Sequence, residues 1–256
     1  MKLINFSAIY ILWLREMKRT WRAKSRIVAT VLMPLFFLAF LGFGLRRASI
    51  PGLPEDINYA IFLIPGIIGM TMLFTSTIAG FSFLWDKEFG FLKEIMVTPV
   101  SRISIVIGRV VGGATISMFQ GLVILFISYI FGFRIPGIFA FILTFLLMLI
   151  ISFTFIGLGL IFASRMKDIH GFSLIVNFVI FPIFFLSGAI YPLDEMPWFI
   201  RILTYIDPLT YGVDGLRNVL IGVSSFPLAL DMAVMFIICI LFLAIGSYLF
   251  EKSEVN

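Results

Sequence analysis

The chain has 256 residues, of which 61% are hydrophobic and only 13% charged. Soluble domains average about 45–50% apolar and about 25% charged residues, so this composition excludes a water-soluble globular protein. A single cysteine and a single histidine exclude a disulfide framework, a Cys-rich metal site and most histidine chemistry. The net charge of +5 accompanies no basic run interleaved with a soluble fold, so no nucleic acid partner is expected.

Residues 1–26 are predicted to form an amphipathic helix that precedes the first long apolar run. Apolar residues recur at spacings of three and four, at Phe6, Ile9, Trp13, Met17 and Trp21. The basic residues on its other side are Arg15, Lys18, Arg19 and Arg22. A basic amphipathic helix of this kind favours the cytoplasmic membrane interface. Two roles remain open at this point, a lipid anchor and a dock for a cytoplasmic protein.

Six apolar runs of 19 or more residues follow, each long enough to cross a bilayer as a helix. They are Ile27–Leu45, Ala60–Leu84, Ile103–Phe131, Ile138–Ser164, Gly171–Tyr191 and Leu228–Phe250. Six spans place both chain ends on one side of the membrane. The sequence therefore predicts an all-α integral membrane protein with a single domain over residues 1–256.

The distribution of charge predicts that both ends are cytoplasmic. With that orientation, fourteen of the nineteen basic residues lie inside, and only Arg46, Arg47, Arg134, Arg201 and Arg217 lie outside. Basic residues concentrate in cytoplasmic loops, so the opposite orientation is disfavoured. All eleven Trp and Tyr residues fall near span ends or between spans, as in an aromatic belt.

The span centres hold no Asp, Glu, Lys, Arg or His, which argues against an ion-coupled carrier or channel. The polar residues there include Gln120, Asn177, Ser152 and Thr154, which we expect to make hydrogen bonds between helices. No HExxH zinc motif and no GxxxxGK[ST] phosphate loop occurs, so neither an intramembrane enzyme nor a nucleotide site is predicted. No cofactor is expected in this chain.

The third span carries a stripe of small residues, at Gly108, Gly112, Gly113, Ser117 and Gly121. Small residues at such spacing let helix backbones approach closely. The partner helix could belong to the same chain or to a second copy, and the spacing alone does not choose between them.

The loop over residues 85–100 combines an apolar face with mixed charge. Phe89, Leu92 and Met96 share one helical face among charged neighbours, and Pro99 ends the pattern. Anionic lipid favours uniformly basic segments, so contact with a protein surface explains the mixed charge better.

Two segments resemble the permeases of type 2 ABC exporters. Residues 86–94 followed by Val-Thr-Pro-Val-Ser-Arg at 97–102 resemble the family's "E-x-G-x-L-x-x-L" and "T/S-P-V-S-R" loop before the third span. Phe-Phe-Leu-Ser-Gly-Ala-Ile-Tyr-Pro at 184–192, Met-Pro-Trp at 196–198 and Asp-Pro-Leu-Thr-Tyr at 207–211 resemble its segment between spans five and six. Asp207 stands where the family commonly has Asn. The closest likeness is to the drug-resistance and nodulation-factor branch.

The resemblance implies a half-transporter in the cytoplasmic membrane. Two permease chains, which we expect to be identical, would form the path, and separate cytoplasmic ATPase subunits would bind ATP and magnesium. The ATPase-coupling residues would be Asp86, Lys87, Glu88, Phe89, Gly90, Phe91, Leu92, Lys93 and Glu94. The ATPase-docking residues of the interfacial helix would be Trp13, Arg15, Lys18, Arg19, Trp21 and Arg22. Residues 192–224 would form short re-entrant helices at the outer end.

The charges of that outer segment are expected to be solvated surface residues: Asp194, Glu195, Arg201, Asp207, Asp214 and Arg217. Uncharged span centres favour export of an apolar or amphiphilic substrate, such as a drug-like or lipid-linked molecule. A polysaccharide or glycolipid exporter remains an alternative, as do a self-contained secondary transporter and a membrane scaffold without transport.

Overall fold

A computed structural model describes residues 4–45, 57–90, 100–166, 168–169 and 171–253. In these ranges all regular structure is helical, which confirms the predicted all-α class. The helices are α1 (Phe6–Arg22), α2 (Lys24–Gly44), α3 (Tyr59–Glu88), α4 (Arg102–Ile127), α5 (Ile138–Arg165), α6 (Phe172–Leu186), α7 (Trp198–Thr204), α8 (Pro208–Ile221) and α9 (Leu228–Ser253). Short 3-10 turns follow α4 and precede α7, at Ser128–Phe131 and Leu193–Glu195.

Among the described residues, four helical segments are long and apolar enough to cross a membrane. They are Tyr59–Glu88, Arg102–Phe131, Ile138–Arg165 and Leu228–Lys252. Two shorter apolar helices, Val28–Gly44 and Phe172–Leu186, occupy the predicted first and fifth spans. The chain is thus a multi-pass membrane protein, while the count of six spans and their orientation remain predictions.

The predicted fifth span, Gly171–Tyr191, extends beyond the C-terminal end of the helix that the structure has there. Helix α6 has 15 residues and measures about 22 Å, less than the roughly 30 Å of a bilayer core. It contains a wide π turn at Val176–Ile180, next to Pro182, whose ring disrupts a regular helix. The helix ends because Gly188 has φ +74°, a left-handed conformation that glycine adopts without strain.

Helix α3 is the centre of the bundle and packs against α2, α4, α5 and α8. Its apolar side chains are buried around most of its circumference, as in Leu63, Ile68 and Leu73. The Asn58 side chain caps its first turn by accepting a hydrogen bond from the Ile61 N–H at 2.9 Å. The helix continues beyond the predicted end of the second span, Leu84, through Glu88, so its last turn carries charged residues.

Glycines allow α3 and α5 to cross in backbone contact. A Cβ atom added at Gly80 would overlap the carbonyl oxygen of Ile156, and one added at Gly159 would overlap that of Thr77. Because backbone atoms cannot move aside as a flexible side chain can, any larger residue would push the two helices apart. This crossing fixes how α3 sits in the bundle.

We predict that Gly80→Ala lowers the free energy of unfolding by about 1–3 kcal/mol, because overpacking at a backbone contact forces a helix to shift. Gly44→Ala is the matched control. Nothing lies within 4 Å of the position that its Cβ would take, so its change should stay within about 0.5 kcal/mol. Denaturant unfolding of the detergent-purified protein measures both, and equal stability of the two variants would contradict the crossing.

Candidate functional site

Helix α1 lies along α4 rather than apart from the bundle. A Cβ at Gly108 would lie 3.0 Å from the carbonyl oxygen of Ile9, and one at Gly112 would lie 3.0 Å from the Glu16 Cβ. The Trp13 Nε1–H also donates a hydrogen bond to the Thr115 Oγ1 at 3.2 Å. Gly108 and Gly112 of the predicted stripe therefore pack against α1 of the same chain.

The other three small residues of that stripe also pack within the chain. A Cβ at Gly113 would lie 2.8 Å from the Ala79 Cβ of α3. The Ser76 hydroxyl of α3 donates to the Ser117 hydroxyl at 2.8 Å. Gly121 lies against methionine side chains of α3 and α5, Met72 and Met148. The stripe thus serves intrachain packing in this structure, on three different helices.

A buried group of ionised side chains joins α1, α3 and α4; we call it the Asp86 cluster. It consists of Arg15, Glu16, Arg19, Asp86 and Arg109. The Arg15 guanidinium donates to both Asp86 carboxylate oxygens, with each N–O distance 3.2 Å. The Arg19 guanidinium pairs with Glu16 at 2.7 Å and lies 3.7 Å from Asp86. Arg109 forms an ion pair with Asp86 from the opposite side.

The interior members of the Asp86 cluster are removed from water. Asp86 is 5% exposed, Glu16 4% and Arg109 3%. Burial lowers the pKa of Arg15 below its usual value, and the neighbouring Glu16 carboxylate opposes that change. A buried charge without its partner is costly, so each carboxylate requires the arginines that surround it.

The last turn of α3 also contacts the start of α6 and the turn before it. The Glu88 carboxylate accepts a hydrogen bond from the Ile169 N–H at 3.1 Å, in the turn between α5 and α6. The Trp85 ring lies 6.1 Å from the ring of Phe172, the first residue of α6. One helical turn therefore connects to α1, α4 and α6.

The predicted coupling residues fall into four groups. Asp86 is buried in the cluster, whereas Lys87, Glu88 and Phe89 are exposed at the end of α3. Gly90 has φ +74° and open space around it. The remaining predicted residues lie outside the described ranges: Phe91, Leu92, Lys93 and Glu94.

The predicted docking residues of α1 are also divided. Trp13, Arg15 and Arg19 make contacts within the chain. Lys18, Trp21 and Arg22 are exposed. The sequence reasoning did not place Glu16 and Arg109 in the site. The sequence does contain a signal for Arg109, because a charged residue inside an apolar helix indicates a partner of opposite charge.

The predicted outer re-entrant segment, residues 192–224, includes the short helices α7 and α8. Helix α8 enters the bundle and packs among α3, α5 and α9. A Cβ at Gly69 of α3 would lie 2.7 Å from Val213, and one at Gly212 would lie 3.0 Å from Ile151 of α5. Nearly all of α8 is buried as a result.

The expectation that the outer charges are solvated is wrong for three of them. Asp207, Asp214 and Arg217 are 5%, 1% and 3% exposed, whereas Asp194 and Glu195 are exposed. Arg201 is partly buried and donates to the carbonyl oxygens of Leu193 and Asp194. These three residues are buried because they lie on or next to α8, and that helix enters the bundle.

Hydrogen bonds to the backbone compensate two of these buried charges. The Asp214 carboxylate accepts from the N–H groups of Ser225 and Phe226, at 3.0 and 2.9 Å. Arg217 donates to the Gly188 carbonyl at 2.9 Å, and its Cζ lies 3.9 Å from the centre of the Phe62 ring. The Arg217 hydrogen bond thus joins the turn after α6 to α8. These two elements contain the two halves of the second sequence motif.

A cavity of about 260 Å³ lies beside the Asp86 cluster, between α1, α2, α3 and α4. Gln120 crosses it: its amide N–H donates to Thr30 at 2.9 Å, and its oxygen accepts from Thr75 at 2.5 Å. The expected role of Gln120 as a bond between helices is confirmed. The cavity has apolar walls at Ile78 and Ile116 and polar groups at Thr30, Thr75 and Gln120, and Glu16 and Arg19 of the Asp86 cluster also line it.

We predict that Asp86→Asn loosens α1, because the neutral amide leaves buried Arg109 without a carboxylate, at a cost of about 3 kcal/mol. Hydrogen exchange should show the amides of α1 exchanging at least about tenfold faster. Lys87→Gln is the control, since Lys87 is the exposed next residue and makes no contact with the cluster. Unchanged exchange in Asp86→Asn would show that the cluster does not hold α1.

A second prediction concerns Asp207, which caps α8 by accepting from the Leu209 N–H at 2.9 Å. Burial raises the pKa of Asp207 to about 8, well above its unfolded value, although the Leu209 N–H opposes the change. The folded state then binds more protons than the unfolded state, so this residue's contribution to stability falls as pH rises from about 4 through 8.

Asp207→Asn removes that pH dependence while keeping the cap. The midpoint of thermal unfolding of Asp207→Asn should therefore rise relative to that of the unchanged protein between pH 6 and pH 8.5. A constant difference across this range would mean that Asp207 titrates normally. The uncharged state at neutral pH also explains why Asp can stand where the resembled family commonly has Asn.

Comparison with known proteins agrees with these two motifs. The family model of the ABC-2 type transporter matches residues 7–221. The inner membrane transport permease YadH of Escherichia coli is 28% identical over 253 residues, covering 96% of each chain. A protein named "Probable multidrug ABC transporter permease YbhR", also from Escherichia coli, is 26% identical over 171 residues, covering 66% of this chain and 46% of its own.

The family match covers α1, the Asp86 cluster, the cytoplasmic loop and the outer segment through the end of α8. It confirms the resemblance inferred from residues 86–102 and 184–217. The chain belongs to the ABC-2 type transporter family and is a transport permease of that family.

Proposed function

We propose that this chain is the membrane subunit of an ABC exporter in the cytoplasmic membrane, energised by separate ATPase subunits. Two copies of the chain would form the path, and neither ATP nor magnesium would bind to them. The observation that carries the proposal is the Asp86 cluster, which joins three helices where the cytoplasmic loop leaves α3. The relation to YadH, an inner membrane permease by name, supports the location.

The geometry supports a route for movement from the ATPase into the membrane. The ATPase would contact the exposed residues Lys87–Phe89 and the loop that follows them. Because the last turn of α3 is paired with α1 and α4, a displacement of the loop would move these helices together. ATP must bind one arrangement of the complex more tightly than the other in order to shift the equilibrium.

The cargo that fits best is an apolar or amphiphilic molecule, drug-like or lipid-linked. The cavity beside the Asp86 cluster combines apolar walls with a few hydrogen-bonding groups, as ligand sites for such molecules do. The relation to YbhR, whose name describes multidrug transport, points the same way. A glycolipid is the second candidate, because Thr30, Thr75 and Gln120 could bind hydroxyl groups.

The proposal is tested with the chain co-expressed with each ABC ATPase subunit of its source cell that lacks a membrane domain of its own. One ATPase should co-purify, and the complex in lipid vesicles should move a fluorescent amphiphile outward only with ATP. Gly90→Ala should reduce ATP-driven transport several-fold, since alanine in the left-handed conformation costs about 1–2 kcal/mol and would reorient the loop.

Gly132→Ala is the matched control. Gly132 has φ +84° and open space around it, like Gly90, but follows α4 at the end away from the Asp86 cluster. Its backbone penalty is the same, so transport should be unchanged. Equal losses in the two variants would contradict the coupling role of the loop. Transport by the chain alone, driven by an ion gradient, would instead establish a secondary transporter.

A further inference from the structure

The four basic residues in the second half of α1 have two different environments. Arg15 and Arg19 are paired with Asp86 and Glu16 inside the Asp86 cluster. Lys18 and Arg22 are exposed, and no ion pair to either occurs within the described ranges. They are four residues apart, so they lie on adjacent turns of one helical face and repel each other. An anion placed between them would relieve that repulsion.

A hollow of about 420 Å³ opens beside these two cations, between α1 and α4. Its apolar lining comes from Met17, Trp21, Ile116 and Phe119, and its remaining residues are Lys18, Thr20, Arg22, Thr115 and Gln120. Thr115 and Gln120 already make hydrogen bonds within the protein. An occupant would therefore meet apolar side chains and two cations, Lys18 and Arg22, that form no ion pair with any residue the structure describes.

The position along the chain indicates where this hollow lies in the membrane. Arg22 ends α1 and Lys24 begins α2, whose apolar part starts at Val28. Basic residues and Trp at the start of an apolar helix mark the level of the lipid headgroups. Trp21, with 71% of its surface exposed, lies at this level and borders the hollow.

We infer that this hollow is a binding site for one anionic phospholipid of the cytoplasmic leaflet. Lys18 and Arg22 bind the phosphate, and one acyl chain lies along Ile116 and Phe119. The site uses α1 residues that the Asp86 cluster leaves exposed. The inference does not depend on what the chain transports.

The site is tested with the purified chain in nanodiscs, using phosphatidylglycerol or phosphatidylcholine with identical brominated acyl chains. Bromine close to Trp21 quenches its fluorescence, and subtraction of the signal of Trp21→Phe isolates this residue. Phosphatidylglycerol should bind much more tightly than phosphatidylcholine. Each basic residue near an anionic headgroup contributes about fivefold, so the double variant Lys18→Gln, Arg22→Gln should lose roughly 25-fold in affinity.

Two further variants separate the parts of the site. Lys24→Gln removes one charge at the same membrane level but outside the lining, and it should change affinity less than about twofold. Phe119→Ala shortens the apolar wall and should weaken both lipids several-fold without removing the preference for phosphatidylglycerol. Excess inorganic phosphate should not displace the lipid, because it gains nothing from the apolar wall.

Three results would overturn the inference: equal affinity for the two lipids, an equal loss in Lys24→Gln and the double variant, or displacement of the lipid by inorganic phosphate. A fourth would reassign the two cations. If the double variant kept its lipid affinity but no longer bound the co-expressed ATPase, Lys18 and Arg22 would belong to the ATPase contact.

Discussion

The ion pairs of Asp86 are the contact on which the packing of α1, α3 and α4 depends. They place one carboxylate, buried at the end of α3, among arginines from α1 and α4. Removing Asp86 leaves the buried Arg109 guanidinium without its carboxylate, which makes Asp86 the member that the other charges depend on. This constraint keeps an otherwise peripheral helix, α1, against the end of α3.

The outer half follows the same physical rule with different partners. There α8 enters the bundle with Asp214 and Arg217, and the backbone of neighbouring turns supplies their hydrogen bonds. Both ends of the molecule thus contain buried charges, while the middle of the bundle is apolar apart from groups such as Gln120 and Thr75.

The sequence predicts the helical class, most span positions and the amphipathic α1, because hydropathy and helical spacing are local properties. It does not show which polar residue of a charged turn faces inward. Asp86, Lys87 and Glu88 look alike in sequence, and only the position of Arg109 makes Asp86 the buried one. The sequence does not predict that α6 ends at Leu186, because residues 187–191 form a turn but are as apolar as a continuing helix would be. The outer charges were misjudged because their compensating N–H groups come from other segments.

Asp86 and Arg109 form an ion pair between α3 and α4. A double-mutant cycle with Asp86→Asn and Arg109→Gln, measured as the free energy of unfolding, quantifies their interaction. The two changes together should cost at least about 1 kcal/mol less than the sum of the single changes, because each single variant leaves a buried partner unpaired. Additivity within about 0.5 kcal/mol would contradict the account.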